Sequence, residues 1–480
     1  MKHKRVILWL RNDLRLHDQE ALWRASQQAE VVLPIYCFDP RHERTTVLGL
    51  EKMSPFRRRF LIESLEQLRE GFQALGSDLF IRHGKPEEVI PELVKSWDAE
   101  AVYAHQEVGT EEEQVEHRLE QNLFKLGLPL NLYWGSSLYH REDLPMPMHA
   151  LPESYTPFRK RVEKYVDIRK TFSIPERLRL PQGLSRGSLP EKPGLQGSNK
   201  GVLPFFGGEQ VALTRLKHYL WDTDALATYK ETRNGLLGAD YSSKFSPWLA
   251  LGCLSPRKVY EEVKAYEAQR KKNSSTYWLI FELIWRDYFR FIAHKHGRNL
   301  FLGLQELMVP SAMSDIELSG EAMIRWQAWT KGETGYPFID ANMRELNQTG
   351  FMSNRGRQNV ASFLVHDMGI DWRLGASYFE AKLIDYDVAS NWGNWNYLGG
   401  VGNDPRKDRY FNILGQAKRY DAKGAYIAHW ISALKKLPPS MRHEPFSFPT
   451  EQLISFGFNL GQDYPAPIAS LRGNSRKLPV

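Results

Sequence analysis

Short apolar runs alternate with polar, helix-like stretches through the first third of the chain. Val6-Ile-Leu-Trp-Leu10 and Val31-Val-Leu-Pro-Ile-Tyr36 read as buried strands, and Leu79-Phe-Ile81, Ala101-Val-Tyr103 and Leu130-Asn-Leu-Tyr133 as shorter ones. Between them, segments such as Phe56–Phe72 and Glu111–Leu126 carry helical spacing. This alternation predicts a parallel sheet with helices on both faces, because such strands are buried on both sides. Residues 1–134 are expected to form a Rossmann-like α/β domain. No GxGxxG follows the first strand, so an ordinary dinucleotide domain is not expected.

Pro181 to Gly208 is rich in Pro, Gly and Ser and lacks a period. It reads as part of a connector over 135–208. Beyond Gly208 the strand signals stop. Glu209–Trp221, Pro256–Arg270, Thr276–His296, Ala322–Thr330, Asp340–Gln348, Arg357–His366 and Arg373–Ile384 all have helical spacing. The expected second domain, 209–480, is larger and all-α. There is no internal repeat and no sustained heptad.

Length, composition and the chain's start refine this picture. A length of 480 residues calls for two or three domains. The aromatic share, 12% with 14 Trp, is high and suits a protein that holds a flat ring system. A formal charge of +7 fits an anionic partner such as nucleic acid, although the excess is small for this length. Cys37 and Cys253 have no CxxC neighbour, which points to a reducing compartment and away from disulfides or zinc. The basic start Met1-Lys-His-Lys-Arg leads into too few apolar residues for a signal peptide or a membrane span. The expectation is a cytoplasmic, monomeric protein without a bound metal or a membrane partner.

Four segments carry candidate chemistry. Tyr241-Ser242-Ser243-Lys244-Phe245-Ser246-Pro247 puts hydroxyls ahead of a helix, as a phosphate site or a routine N-cap would. On the helix holding Glu282-Leu-Ile-Trp285-Arg286, the residues Glu282, Trp285, Arg286 and Phe289 share one face. They form a polar and aromatic pocket wall or a flank with a salt bridge. Gly350-Phe-Met-Ser-Asn354-Arg355-Gly356-Arg357-Gln358-Asn359 sets amides and arginines at a helix start, suited to a base edge, a phosphate or a cap. The fourth, Asp385-Tyr-Asp387-Val-Ala-Ser-Asn391-Trp-Gly-Asn-Trp395-Asn-Tyr397, packs carboxylates, amides and aromatics together. Its aromatics either fill a helix end or pass charge to a redox cofactor. Asp385 and Asp387 face apart on a strand or a helix, so they are not an obvious acid/base pair, and an Asp385–Arg357 ion pair is as well suited to these residues as catalysis. There is no P-loop, GxSxG, HExxH or EF-hand loop, and His294 and His296 are spaced wrongly for a shared metal.

Taken in order behind an α/β domain, these segments resemble the DNA photolyase/cryptochrome family, and the DASH cryptochromes within it. The resemblance starts at Trp9-Leu-Arg11-Asn12-Asp13-Leu-Arg15 and runs through Tyr229-Lys-Glu-Thr-Arg233-Asn234 to Val401-Gly-Asn-Asp404. It implies FAD in the helical domain, held by Tyr229, Ser242, Ser243, Lys244, Phe245, Ser246, Glu282, Arg286, Phe289, Arg357, Asp385, Asp387 and Asn391. Asn391 matches the family asparagine at flavin N5, and Arg357–Asp385 matches a salt bridge beside the ring. Trp395 and Trp372 match the inner and middle members of a tryptophan relay. The outer site falls near Ser319, so Trp326 or a tyrosine is the substitute.

The implied reaction is light-driven electron donation from reduced FAD to a cyclobutane pyrimidine dimer, with no general acid or base. Glu282, Trp285 and Asn354 match the dimer pocket, while Gln358 replaces Met and Tyr397 replaces Trp. Extracting a dimer from duplex costs a few kcal/mol, and stacking on an aromatic returns roughly 1–3 kcal/mol per base. The smaller Tyr397 lowers that return, so a preference for single-stranded DNA is expected. Arg355, Arg406, Lys407 and Arg409 are candidate phosphate contacts, interleaved with Asp404 and Asp408. A methenyltetrahydrofolate antenna is also implied, with Glu107 as its ligand. The rival reading is a DNA-binding blue-light receptor that regulates transcription. The short basic tail after Arg472 does not favour it.

Overall fold

The structure is a computed structural model. It describes residues 3–46, 49–195, 200–304, 316, 318–402 and 409–472. Five parallel strands form one sheet: β1 (His3–Leu10), β2 (Ala29–Phe38), β3 (Phe80–His83), β4 (Ala101–His105) and β5 (Leu130–Tyr133), in the order β3-β2-β1-β4-β5. All five strands lie where the apolar runs predict them. Val6, Leu8 and Leu10 of β1 face one core while Ile7 and Trp9 face the other, the period of two that a doubly covered sheet requires. Pro34 sits within β2 opposite Leu8 although it cannot donate to the ladder.

Around the strands run α1 (Glu20–Gln28), α2 (Pro55–Ala74), α3 (Pro86–Trp97) and α4 (Thr110–Phe124). The stretch after β5 is not wholly irregular. It contains α5 (Tyr155–Tyr165), whose Phe158 and Val162 are buried. Then follow α6 (Glu209–Lys217), α7 (Tyr229–Thr232), α8 (Ser246–Ala250), α9 (Pro256–Gln269) and α10 (Ser274–His296). The last set used below is α11 (Gly320–Lys331), α12 (Pro337–Thr349), α13 (Asn354–Ser362), α14 (Trp372–Lys382) and α15 (Val388–Leu398). No strand is found after β5 among the described residues. Helix boundaries shift from the sequence reading by a turn or less where caps and π turns intervene: α6 and α13 each pass into a π turn, at His218–Asp222 and Phe363–Asp367.

One apolar core runs without a break from the Val6/Leu8 face of the sheet into the helical half. The seam between them is also polar. Asp18, fully buried, takes both Arg257 nitrogens (2.6 and 3.0 Å) and the Ser255 hydroxyl. Arg15 donates to the carbonyls of Gly252, Asp18 and Gly135. Gly252 has a left-handed φ of 68°, and a Cβ there would sit 2.1 Å from the Asn12 carbonyl. Only glycine allows this close approach. Among the described residues no helix is long and apolar enough to cross a membrane, and no group of His, Cys, Asp or Glu is placed to hold a metal.

Candidate functional site: a cavity in the helical half

The 23-residue helix α10 positions the site. Its N-terminus is closed by a capping box between Asn273 and Thr276. One face buries Leu283, Ile284, Phe291 and Ile292, while Glu282, Trp285, Arg286 and Phe289 line a cavity of about 470 Å³. That volume lies within the usual range for small-ligand and cofactor sites. The other walls come from the loop before α8, from α13, and from the loop between α14 and α15.

Every residue for which the resemblance implied a part in holding FAD lines this one space, including Tyr229, Ser242 to Ser246 and Asn391. Trp285, Asn354, Gln358, Trp395 and Tyr397 line it too. Residues from five helices and two loops thus converge. Two sequence-predicted residues lie elsewhere. Trp372 is buried behind the wall, edge-on to Trp392 at 5.9 Å. Glu107 is buried at the seam, where it accepts from the Asn12 amide (3.3 Å) and faces Arg290 (3.5 Å).

Arg357 and Asp385 form the expected ion pair, at 2.8 and 3.0 Å. Ser246 donates to the same carboxylate (2.6 Å), which ties the loop before α8 to the one before α15. Asp387 caps α15, accepting from Ser390 N–H at 2.8 Å. Burial works against its charge, but Arg286 and Arg290 at 3.5 and 3.3 Å win and hold it below the ordinary carboxylate value. Arg286 is fixed in turn by the carbonyls of Ser136 and Leu249. The Asn391 amide nitrogen donates to the Ala376 carbonyl (3.0 Å), so its oxygen is the end left for a donor from a ligand. Lys244 has a left-handed φ of 55°, and burial lowers its ammonium to about 6.

The mouth is aromatic. Trp285 stacks on Tyr155 with ring centres 3.7 Å apart and planes 12° apart, and meets Tyr397 edge-on at 6.0 Å. The Arg409 guanidinium lies 3.6 Å over the Tyr397 ring. Glu282 pairs with Arg233 at 2.5 Å; burial pushes its carboxyl up while Arg233 opposes this. Arg355 is held by Asn234 (2.9 Å) and stacks on Tyr420. Arg406, Lys407, Asp404 and Asp408 lie outside the described residues.

Sequence reasoning missed Tyr155, Arg233 as the partner of Glu282, and Arg290. Tyr155 sits inside the presumed connector, where only the short apolar spacing of Tyr155, Phe158 and Val162 could have marked a helix. From Trp395 a second aromatic line leads away from the cavity: Trp329 at 6.5 Å, then Trp326 stacked on it at 5.5 Å. Ser319 is the N-cap of α11.

The walls suit a ligand with a charged, phosphate-like end and a flat polar ring. The Ser242–Ser246 loop supplies hydroxyls and the Lys244 amino group, and the Arg357–Asp385–Asn391 wall supplies ring-edge donors and acceptors. The Gln358 carbonyl oxygen is buried there without a protein partner.

Comparison with known proteins gives the same answer. The description "FAD binding domain of DNA photolyase" matches residues 278–478, and "DNA photolyase" matches residues 6–178. Cryptochrome DASH of Gloeobacter violaceus is 52% identical over 98% of this chain and 94% of its own length. That of Synechocystis is 50% identical over 97% and 96%. A Synechocystis cryptochrome crystal structure superposes with a TM-score of 0.92 at 49% identity, covering 98% of both chains. A class III photolyase from Agrobacterium tumefaciens superposes at 0.84 with 29% identity, covering 98% and 95%. The chain belongs to the DNA photolyase/cryptochrome family, on its cryptochrome DASH branch.

Proposed function

We propose that this protein repairs cyclobutane pyrimidine dimers in single-stranded DNA under blue light, using FAD held in the α10 cavity. When bound and reduced, FAD supplies the light absorption and the single electron that opens the dimer. The observation that carries the reading is the convergence of an ion-paired wall (Arg357–Asp385, Asn391) and an aromatic mouth (Trp285, Tyr397) on one cavity.

The residues divide the work. Arg357 and Asp385 brace each other against the ring edge, so neither charge is left unpaired in a low-dielectric site. Asn391 presents a neutral acceptor to a ring N–H without removing its proton. Ser242 to Ser246 and Lys244 take the phosphates. Tyr229, Phe245 and Phe289 exclude water. At the mouth Trp285, locked by Tyr155, offers a stacking face to the extruded dimer. Glu282 and Asn354 are placed for its base edges, and Gln358 offers a buried carbonyl oxygen. Arg355 and Arg409 meet the phosphates. No proton needs to move between substrate and protein, in keeping with a cavity whose carboxylates are paired with arginines.

Purified protein with FAD, reductant and light is tested on single-stranded and duplex oligonucleotides carrying one dimer, at equal salt. Faster loss of dimers from single strands is expected. Equal or faster duplex repair overturns the strand preference. Bound flavin with no repair of either overturns the enzyme reading and leaves a DNA-binding receptor.

A folate antenna and a cytoplasmic location belong to the same proposal. The antenna rests on the resemblance and on Glu107 at the seam. Denaturing a gently purified sample should release a folate chromophore seen by absorbance; its absence counts against the antenna.

A further inference from the structure

Tyr386 stands between the two cavity carboxylates Asp385 and Asp387, and it lines the cavity with them. Its phenol points into a small polar cluster behind the wall. The Glu380 carboxylate faces the hydroxyl. The Trp392 indole N–H reaches both the Tyr386 oxygen (3.3 Å) and Glu380 Oε2 (3.4 Å). Lys52 lies 4.0 Å from the other Glu380 oxygen and is ion-paired on its far side with exposed Glu111. Arg57 covers the Tyr386 ring at 4.9 Å. Glu112 of α4 completes the set of charges that face the phenol.

A tyrosine can give up an electron at neutral pH only if its hydroxyl proton has somewhere to go, because the oxidised phenol is a strong acid. Tyr386 meets that condition: a carboxylate stands beside its hydroxyl, the two oxygens sharing the Trp392 N–H. The other aromatic exit does not. Trp329 donates its N–H to the Val360 carbonyl (3.0 Å), which cannot take a proton. Lys52 stands beside Glu380 as a fixed positive charge, itself paired with Glu111. Burial raises the Glu380 carboxyl while Lys52 and Arg57 hold it down, so it is poised to take a proton and return it.

We propose that Tyr386 is a proton-coupled electron donor to the cavity, with Glu380 as the acceptor of its phenolic proton. This rests on the reading that the cavity holds FAD. With light-excited oxidised FAD in the cavity, the Tyr386 ring would be the source of one electron. The phenolic O–H bond breaks and an O–H bond forms on Glu380, leaving a neutral tyrosyl radical. An external thiolate returns the electron, Glu380 returns the proton, and paired thiyl radicals leave as disulfide. Glu380 is the positioning residue and Trp392 holds the phenolic oxygen toward it.

The test uses the flavin-loaded full chain with dithiothreitol. Illumination is followed by electron paramagnetic resonance on protein grown with ring-deuterated tyrosine. A tyrosyl signal that narrows on deuteration is expected in the unaltered protein and is lost in Y386F and in E380Q, per bound flavin. Its yield falls at low pH, where Glu380 is protonated; in K52M that fall moves to higher pH, because a cation beside the carboxylate is gone. A flavin that photoreduces with only tryptophan radicals, or a tyrosyl signal that survives Y386F, overturns the proposal alone. A preparation that binds no flavin overturns the earlier reading and this one together.

Discussion

The seam between the sheet and the helices and the wall of the cavity are built from the same parts. Each buries arginines against carboxylates. At the seam the partners enclose one another: Asp18 takes two nitrogens of Arg257, the Ser255 hydroxyl and the Phe172 amide (3.1 Å). At the cavity the pairs are one-sided. Asp385 holds Arg357 and Ser246, but Arg357 still borders open space, as do Asn391 and Gln358. Burial alone does not mark a site. What separates function from architecture is whether a buried polar group has capacity left over after the protein has satisfied it.

The largest contrast is expected from breaking one pair in each region. D18A strands Arg257 where water cannot reach and should cost about 3–5 kcal/mol of stability, read by denaturant unfolding. Flavin per folded molecule should be unchanged. D385A should cost less stability, because Arg357 can turn to the cavity, yet abolish bound flavin, read by the ratio of visible to ultraviolet absorbance. If the two variants behave alike, the distinction between the regions fails.

Next in size, W285A removes the face locked by Tyr155. Binding of a single-stranded lesion should weaken by about 1–3 kcal/mol in a fluorescence-anisotropy titration, with flavin content kept. No change would move the stacking surface elsewhere.

A pH comparison follows. Asp387, held low by Arg286 and Arg290 against burial, adds stability that is present above the usual carboxylate value and lost only in strong acid. Asp287 of α10 is influenced by the same two arginines, but less than by burial and by the backbone amides. Burial raises it to about 7, although the Leu138 and Tyr139 amides donate to it at 3.0 and 2.8 Å. The folded state then binds the extra proton, so stability should fall as pH rises from about 4 to about 7. D287N should flatten that part of the curve, and D387N should not.

The smallest effect is expected at Arg355. R355Q should lower the salt dependence of DNA binding by roughly one unit of log–log slope, without altering the preference for the lesion.

Much of this was legible in the chain. The strands announced themselves because β1 and β2 are apolar on both faces, a pattern with few alternatives. The charge chemistry of the two segments left the Asp385–Arg357 pair open beside catalysis, and the family resemblance singled it out; the shared face of Glu282, Trp285, Arg286 and Phe289 followed from helical spacing. What stayed hidden were partners brought together from distant parts of the chain. Nothing local to Trp285 specifies Tyr155 as its stacking partner. Nothing near Glu282 specifies Arg233, and Tyr386 within Asp385-Tyr-Asp387 gives no sign of Glu380. Trp372 matched a motif, and its edge-on contact with Trp392 was likewise not specified by spacing.

The most direct measurement is an absorption spectrum of purified protein after addition of FAD, repeated after blue light and reductant, with the same sample then given dimer-containing single-stranded DNA. The account predicts a bound flavin spectrum that bleaches reversibly and dimers that disappear only in the light. A folded protein that stays colourless with excess FAD, or one whose bound flavin repairs nothing, would contradict it.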